Sequence, residues 1–288
     1  MDSSNPAQGA PQSLAQGRLA ALRWGRRDAP VWLCLHGWLD NAATFSRLAP
    51  RLCEQLDVQL VAVELSGHGH SRWREAGRYM LWDYLEDVIA ALDDLGLNSA
   101  VIMGHSLGAI VATLLAAALP ERVERLLLID GLISQTTSAE QTATQLREAL
   151  LTPRRDGASR RPYRSFEQAV GARVLGAVTP VDAHTIAPVV ARNLREEAAG
   201  LVLRSDVALH RPSPLRFTEA QNLAIMHSLR CPVSVLAASH GILGKPARAA
   251  VAGIDQVHWI ALRGGHHLHL EEAHVAAVAA AIIREVSG

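Results

Sequence analysis

The sequence predicts an α/β domain built on a mostly parallel sheet, with a helical insertion between its two halves. Three observations predict it. Short apolar runs alternate with segments of helical spacing through the first half of the chain, which is the pattern of βαβ units. That rhythm stops between residues 133 and 230 and then resumes. A glycine-flanked serine, Gly104-His105-Ser106-Leu107-Gly108, falls between a strand-like run and a good helix.

Composition bounds the rest. The 288 residues suffice for one large domain carrying an insertion, and 49% of them are apolar. Acidic and basic residues number 28 each, so no field for nucleic acid is expected, and a small neutral or apolar molecule is the fitting partner. Lys245 is the only lysine; no function attaches to that. Cys34, Cys53 and Cys231 are odd in number and far apart, as free thiols in a reducing cytoplasm would be. The longest apolar helix candidate, residues 110–119, ends at Pro120 after about ten residues, too few for a membrane span. No membrane association is expected, and the sequence says nothing of oligomeric state.

The elements follow in order. Residues 1–17, rich in Ser, Gln, Ala, Pro and Gly, read as a disordered tail without a secretory signal. Strands are expected at 31–35, 59–65, 100–103, 125–129, 232–238 and 257–262. Helices are expected over 41–56, 81–95, 106–119 and 271–286. The span 133–230 is too long for a bare loop, so it reads as a mainly helical cap, with a helix over 139–151 and an Arg and Pro cluster over 153–164. The core is then 18–132 with 231–288.

The chemistry centres on Ser106. In GxSxG between strand and helix, the serine takes a sharp turn that lifts its hydroxyl above the sheet, and Gly104 and Gly108 remove side chains that would collide across it. A serine hydroxyl needs a base, and the base needs a third group to hold its tautomer. The histidine cluster after the last strand, Gly264-Gly265-His266-His267-Leu268-His269, offers His266 as that base, directly behind two glycines. His267 and His269 read as loop or helix-start residues. A metal set of His266, His269 and Glu272 is the disfavoured alternative, because a serine elbow needs no metal.

The order Leu35-His36-Gly37-Trp38, Gly67-His68-Gly69, Gly104 to Gly108, then Gly264-Gly265-His266-His267 resembles the α/β-hydrolase superfamily over residues 20–130 and 225–287. The blocks His36-Gly37-Trp38-Leu39-Asp40-Asn41 and Gly265 to Glu271 are most similar to its serine hydrolase-like subgroup. The resemblance implies an α/β-hydrolase fold and an oxyanion hole made by the backbone amides of Trp38 and Leu107. It also exposes a departure. Relatives place an Asp after the strand that ends near Ala238, and this chain has His240 there. Asp130, at the end of the preceding strand, stands where some members of the superfamily take their acid, and gives the order Ser106, Asp130, His266. The alternative for Asp130 is a turn cap. Asp206 and Asp255 are poorer candidates, because neither ends a strand on the active face.

The expected activity is ester-type acyl hydrolysis without a cofactor. Two other readings stay open: a carbon-carbon bond hydrolase using the same serine and histidine, and a non-enzymatic binding module whose triad has decayed. Gly67-His68-Gly69 reads as a tight turn near the pocket. Trp38, Trp73 and Trp82 are either core or pocket lining.

Overall fold

A computed structural model describes residues 9–75, 77–152 and 162–288. The strands of its main sheet are β1 (Ala10–Leu14), β2 (Leu19–Trp24), β3 (Val31–Leu35), β4 (Gln59–Val63), β5 (Ala100–His105), β6 (Val123–Ile129), β9 (Val233–His240) and β10 (Val257–Gly265). Across the sheet they take the order β1-β2-β4-β3-β5-β6-β9-β10. β1, β2 and β4 pair antiparallel, and from β4 to β10 every pairing is parallel. The chain steps from β3 outward to β4 and then returns to the other side of β3 with β5. That reversal makes the carboxyl ends of β3 and β5 a switch point, where ligand crevices form in such sheets.

The central strands are apolar on both faces, as parallel strands covered twice must be. Leu33, Leu35, Ile102, Leu126 and Leu128 face one core layer with α2 (Asp83–Asp94) and α3 (Leu107–Ala118). Their alternates Cys34, Met103, Leu127 and Ile129 face the other, with α1 (Leu48–Leu56) and α9 (Val275–Ser287). In α9 the buried positions Val275, Val278, Ala279 and Ile282 fall on one helical stripe. The three cysteines are free. Among the described residues no helix is long and apolar enough to cross a membrane.

The structure departs from the sequence reading at several points, among them β2, where no strand was expected. Residues 10–14, expected within a disordered tail, form β1. Its backbone pairs with β2 and Leu14 is buried in the core, and this anchors it. The segment 133–230 holds α4 (Thr142–Leu151), α5 (Phe166–Leu175) and α6 (Ala183–Asn193), but also an unforeseen hairpin of β7 (Leu194–Glu197) and β8 (Gly200–Leu203). Finally, α7 (Glu219–His227) packs on α3, with Met226 and Leu229 in the core. The insertion therefore closes near residue 217, where a bridge from Thr136 to Phe217 forms its neck. Most of the expected Arg and Pro cluster, residues 153–161, lies outside the described residues, as does 1–8 of the expected tail. The short α8 (Lys245–Ala250) precedes β10.

The cap has a small core of its own, from Val170 on α5 and Ile186, Val189 and Val190 on α6. Leu270, from the loop that follows His266, is part of it. Ion pairs add to that seam. Arg192 reaches down from α6 to the buried Glu64, with nitrogen to oxygen distances of 2.7 and 3.1 Å.

Candidate active site

Ser106 sits directly after β5 with φ 51° and ψ −114°, a left-handed backbone that a non-glycine residue adopts only when its surroundings hold it. They do so from both sides. The Ser106 amide donates to Ile129 O at 3.0 Å, and Ser106 O accepts from the amides of Ala109 and Ile110. The glycines act as expected: a Cβ on Gly104 would lie 2.5 Å from Gly108 O, and one on Gly108 2.1 Å from Leu35 O. Gly131 is a third such position, since its Cβ would lie 2.5 Å from Ser106 O. Leu107 begins α3, so its amide has no acceptor within the helix and points with the helix N-terminus toward the crevice.

His266 follows β10, whose register with β9 shifts between Leu262 and Gly265. Such an irregularity re-aims a side chain at a strand end. Its Nδ1 lies 2.6 Å from Asp130 Oδ2. Asp130 directly follows β6 with φ 41°. The Ala238 amide donates to Asp130 Oδ1 at 3.2 Å and the Ile242 amide to Oδ2 at 2.8 Å. Burial by itself raises the Asp130 pKa, but the hydrogen bonds from His266 and these amides outweigh it and hold the carboxyl below its ordinary value. An ionised Asp130 makes Nδ1 the protonated nitrogen of His266 and leaves Nε2 with its lone pair.

The segment where relatives carry an acid is thus a cradle. A Cβ on Gly241 would lie 2.1 Å from Asp130 Oδ2, so only glycine allows the backbone to close on the carboxylate. His240 itself is exposed and its Nδ1 contacts Ser239 Oγ at 3.0 Å. Asp206 caps a short helix in the cap and accepts from the Tyr79 hydroxyl at 2.6 Å, and Asp255 is exposed in the turn before β10.

A cavity of about 530 Å³ brings Ser106, His266, Trp38 and Leu107 together under the cap. Asp130 backs His266 from behind it. Trp82 also lines the cavity, and the Trp38 indole donates to Leu209 O of the cap at 3.1 Å. Trp73 instead donates to Arg204 O at 2.9 Å. Gly67 has φ 85° in a turn packed against Tyr79, which lines the cavity. The nearby His68 is buried, and burial, with help from His36, pushes its pKa down to about 3.

Sequence reasoning missed a second cluster beside the first. Asp40, in the loop after β3, has its Oδ2 3.0 Å from His267 Nε2 and 3.6 Å from His105 Nδ1. Its Oδ1 accepts from Arg173 Nη2 of α5 at 2.9 Å. His105 Nε2 donates to His266 O at 2.9 Å. Burial opposes ionisation of Asp40, yet its histidine and arginine neighbours hold its pKa well below the ordinary range. Burial and the neighbouring His266 push His105 down to about 4. His267 and His269 lie in the turn after β10, as expected, but both are buried there, with His269 Nε2 2.9 Å from Thr44 Oγ1. The alternative metal set does not converge, because His266 meets Asp130, His269 meets Thr44, and Glu272 meets His184 on the surface. The sequence signal for the second cluster was the spacing itself: His105 precedes Ser106, and His267 follows His266.

Residues 30–161 match the α/β hydrolase fold family. A human serine hydrolase-like protein is 35% identical over 153 residues, which cover 52% of this chain and 74% of that protein. Human serine hydrolase-like protein 2 is 32% identical over 197 residues, 67% of this chain and 62% of that protein's length. The chain belongs to the α/β-hydrolase superfamily, in its serine hydrolase-like subgroup. A crystal structure of a hypothetical protein from Pseudomonas aeruginosa PAO1 superposes with a TM-score of 0.87 at 41% identity, covering 94% of this chain and 96% of that one. An esterase of Mycobacterium tuberculosis is 39% identical over 130 residues, 45% of this chain and 42% of that protein. As in any α/β-hydrolase, the crevice lies at the carboxyl ends of the strands, and here β3, β5, β6 and β10 each deliver a residue to it or directly behind it.

Proposed function

We propose that this chain is a serine hydrolase that cleaves an ester-type acyl bond of a small neutral or apolar substrate. The observation that carries the reading is the 2.6 Å contact of His266 Nδ1 with Asp130 Oδ2 behind the cavity that Ser106 and His266 line. Ser106 Oγ attacks the carbonyl while His266 Nε2 takes its proton. Asp130 stays ionised, holds the tautomer and stabilises the imidazolium that forms. The amides of Trp38 and Leu107 stabilise the oxyanion, His266 returns the proton to the leaving alcohol, and water repeats the attack on the acyl-enzyme. These groups supply every step, so the chemistry calls on no cofactor.

Substrate selection falls to the cavity wall. Trp38, Trp82, Leu107, Ile110, Leu209 and Phe217 give it an apolar surface from both core and cap, which suits an acyl chain of low polarity.

Treatment with a fluorophosphonate probe and location of the adduct by mass spectrometry tests the reading. The expected result is a single adduct at Ser106 that disappears in Ser106→Ala and in His266→Ala. A folded wild-type protein that stays unlabelled overturns the acyl-enzyme mechanism.

A further inference from the structure

The Asp40 cluster has an electrostatic conflict at its centre. His105 Nε2 donates to the His266 carbonyl, so its proton is on that nitrogen and Nδ1 carries only a lone pair. That lone pair is buried, has no hydrogen-bond partner among the described residues, and faces Asp40 Oδ2 at 3.6 Å. Two acceptors facing each other in a buried site repel unless a cation stands between them. His267 Nε2 lies 3.0 Å from the same oxygen, and the three donor atoms lie within 4.8 Å of one another. Four-coordinate zinc, with bonds of about 2.0–2.1 Å, spaces its ligands by about 3.3 Å, which falls between the two measured distances to Asp40. Arg173 occupies only Oδ1, so Oδ2 stays turned toward the imidazoles.

The geometry points to a binding site for one first-row divalent cation, typified by Zn²⁺, with Asp40 Oδ2, His105 Nδ1 and His267 Nε2 as ligands. Two imidazoles and a carboxylate are a zinc-type donor set, and a fourth position opens on the cavity that all three residues line. Binding requires only that the His267 proton leave Nε2. Its Nδ1, buried without a partner among the described residues, can take it. Two of the ligands, His105 and His267, adjoin Ser106 and His266 in the chain, so the bound ion ties the elbow to the base loop and inhibits hydrolysis. That last consequence alone depends on the function proposed above.

The test uses the whole chain stripped with a chelator and titrated with Zn²⁺ alone by isothermal calorimetry at pH 7.5. The expected result is one ion per chain, with affinity reduced by roughly 100-fold or more in His267→Gln and in Asp40→Asn. His184→Gln, which removes an exposed histidine paired with Glu272, leaves affinity unchanged. Circular dichroism checks that each variant folds; if Asp40→Asn does not, His267→Gln and the visible bands of bound Co²⁺ carry the test. Absence of stoichiometric binding, or binding that survives in folded His267→Gln, overturns the site. Ester hydrolysis, followed in parallel, should fall with the same midpoint as binding. A chain that binds zinc as described but is never labelled at Ser106 upholds this site and overturns only the hydrolase reading.

Discussion

Two buried carboxylates stand on the active face on either side of β5, and each meets histidine, yet they are held in different ways. Asp130 is held by the main chain: the amides of Ala238 and Ile242 donate to it, and the backbone at Gly241 closes over it. Asp40 is held by side chains from two separate segments, His267 after β10 and Arg173 from the cap, and the His105 ring at the end of β5 faces it at 3.6 Å. The core alone thus prepares Asp130, whereas Asp40 has its full set of partners only when the cap is seated. One carboxylate suits a fixed catalytic geometry, and the other suits a joint.

The largest test of this difference is Asp130→Asn. It keeps volume but removes the charge that fixes the His266 tautomer, and turnover should fall by on the order of 10⁴ with little change in KM. Steady-state kinetics on a simple ester checks it. Equal losses in Asp130→Asn and Asp40→Asn would erase the distinction.

Gly241→Ala attacks the same carboxylate without changing its chemistry. The new methyl would lie 2.1 Å from Asp130 Oδ2, so the acid or the loop must move by an ångström or so. Displacements of that size cost about 10²-fold in rate. Activity should fall by that factor, and fluorophosphonate labelling of Ser106 should slow in proportion. An unaffected variant would mean that the cradle is dispensable.

Asp40→Asn should do the opposite, lowering turnover by less than about tenfold while destabilising the fold by about 3 kcal/mol, since Arg173 loses the charge it pairs with. Urea unfolding measures the second quantity. The pH dependence of stability separates the groups further. His105 and His68 stay neutral in the fold, with pKa values near 4 and 3 against an ordinary 6.5, so the unfolded chain takes up their protons first. Their contribution is complete above pH 6.5 and is lost as pH falls, at about 1.4 kcal/mol per pH unit for each. Asp130 and Asp40, with lowered values, contribute fully above an ordinary 3.8 and lose that only below it. Stability should therefore begin to decline below pH 6.5, and a flat profile from pH 7 to 5 would contradict the buried neutral histidines.

How much of this could be read from the sequence follows the same division. Ser106 was legible because its turn needs Gly104 and Gly108 in a fixed pattern, and His266 because it follows the last strand behind two glycines. Asp130 was reachable from its place at the end of a strand together with the family resemblance, which allows an acid there. The Asp40 cluster was hinted at only by His105 before Ser106 and His267 after His266, because it joins residues 40, 105, 173 and 267 through side-chain directions that only the folded loops set. The cap boundary failed for a related reason: nothing local in residues 219–227 tells that their helix packs on α3 rather than on the insertion. β1 and β2 escaped because the edge hairpin gives neither strand an unbroken apolar run: β1 alternates exposed with more buried positions, and Arg23 interrupts β2.

The smallest expected effect belongs to His240, next to the glycine whose substitution is expected to cost so much. Its side chain is exposed, and it contacts the neighbouring Ser239 hydroxyl. What Asp130 needs from this segment is backbone, and His240→Gln leaves the backbone as it is. The variant should keep kcat/KM within roughly 3-fold of the parent, as exposed substitutions away from a site do. A larger loss would show that the imidazole standing in the relatives' acid position takes part in the chemistry after all, and would transfer to His240 a share of the orienting role that the Asp130 carboxylate otherwise fills alone.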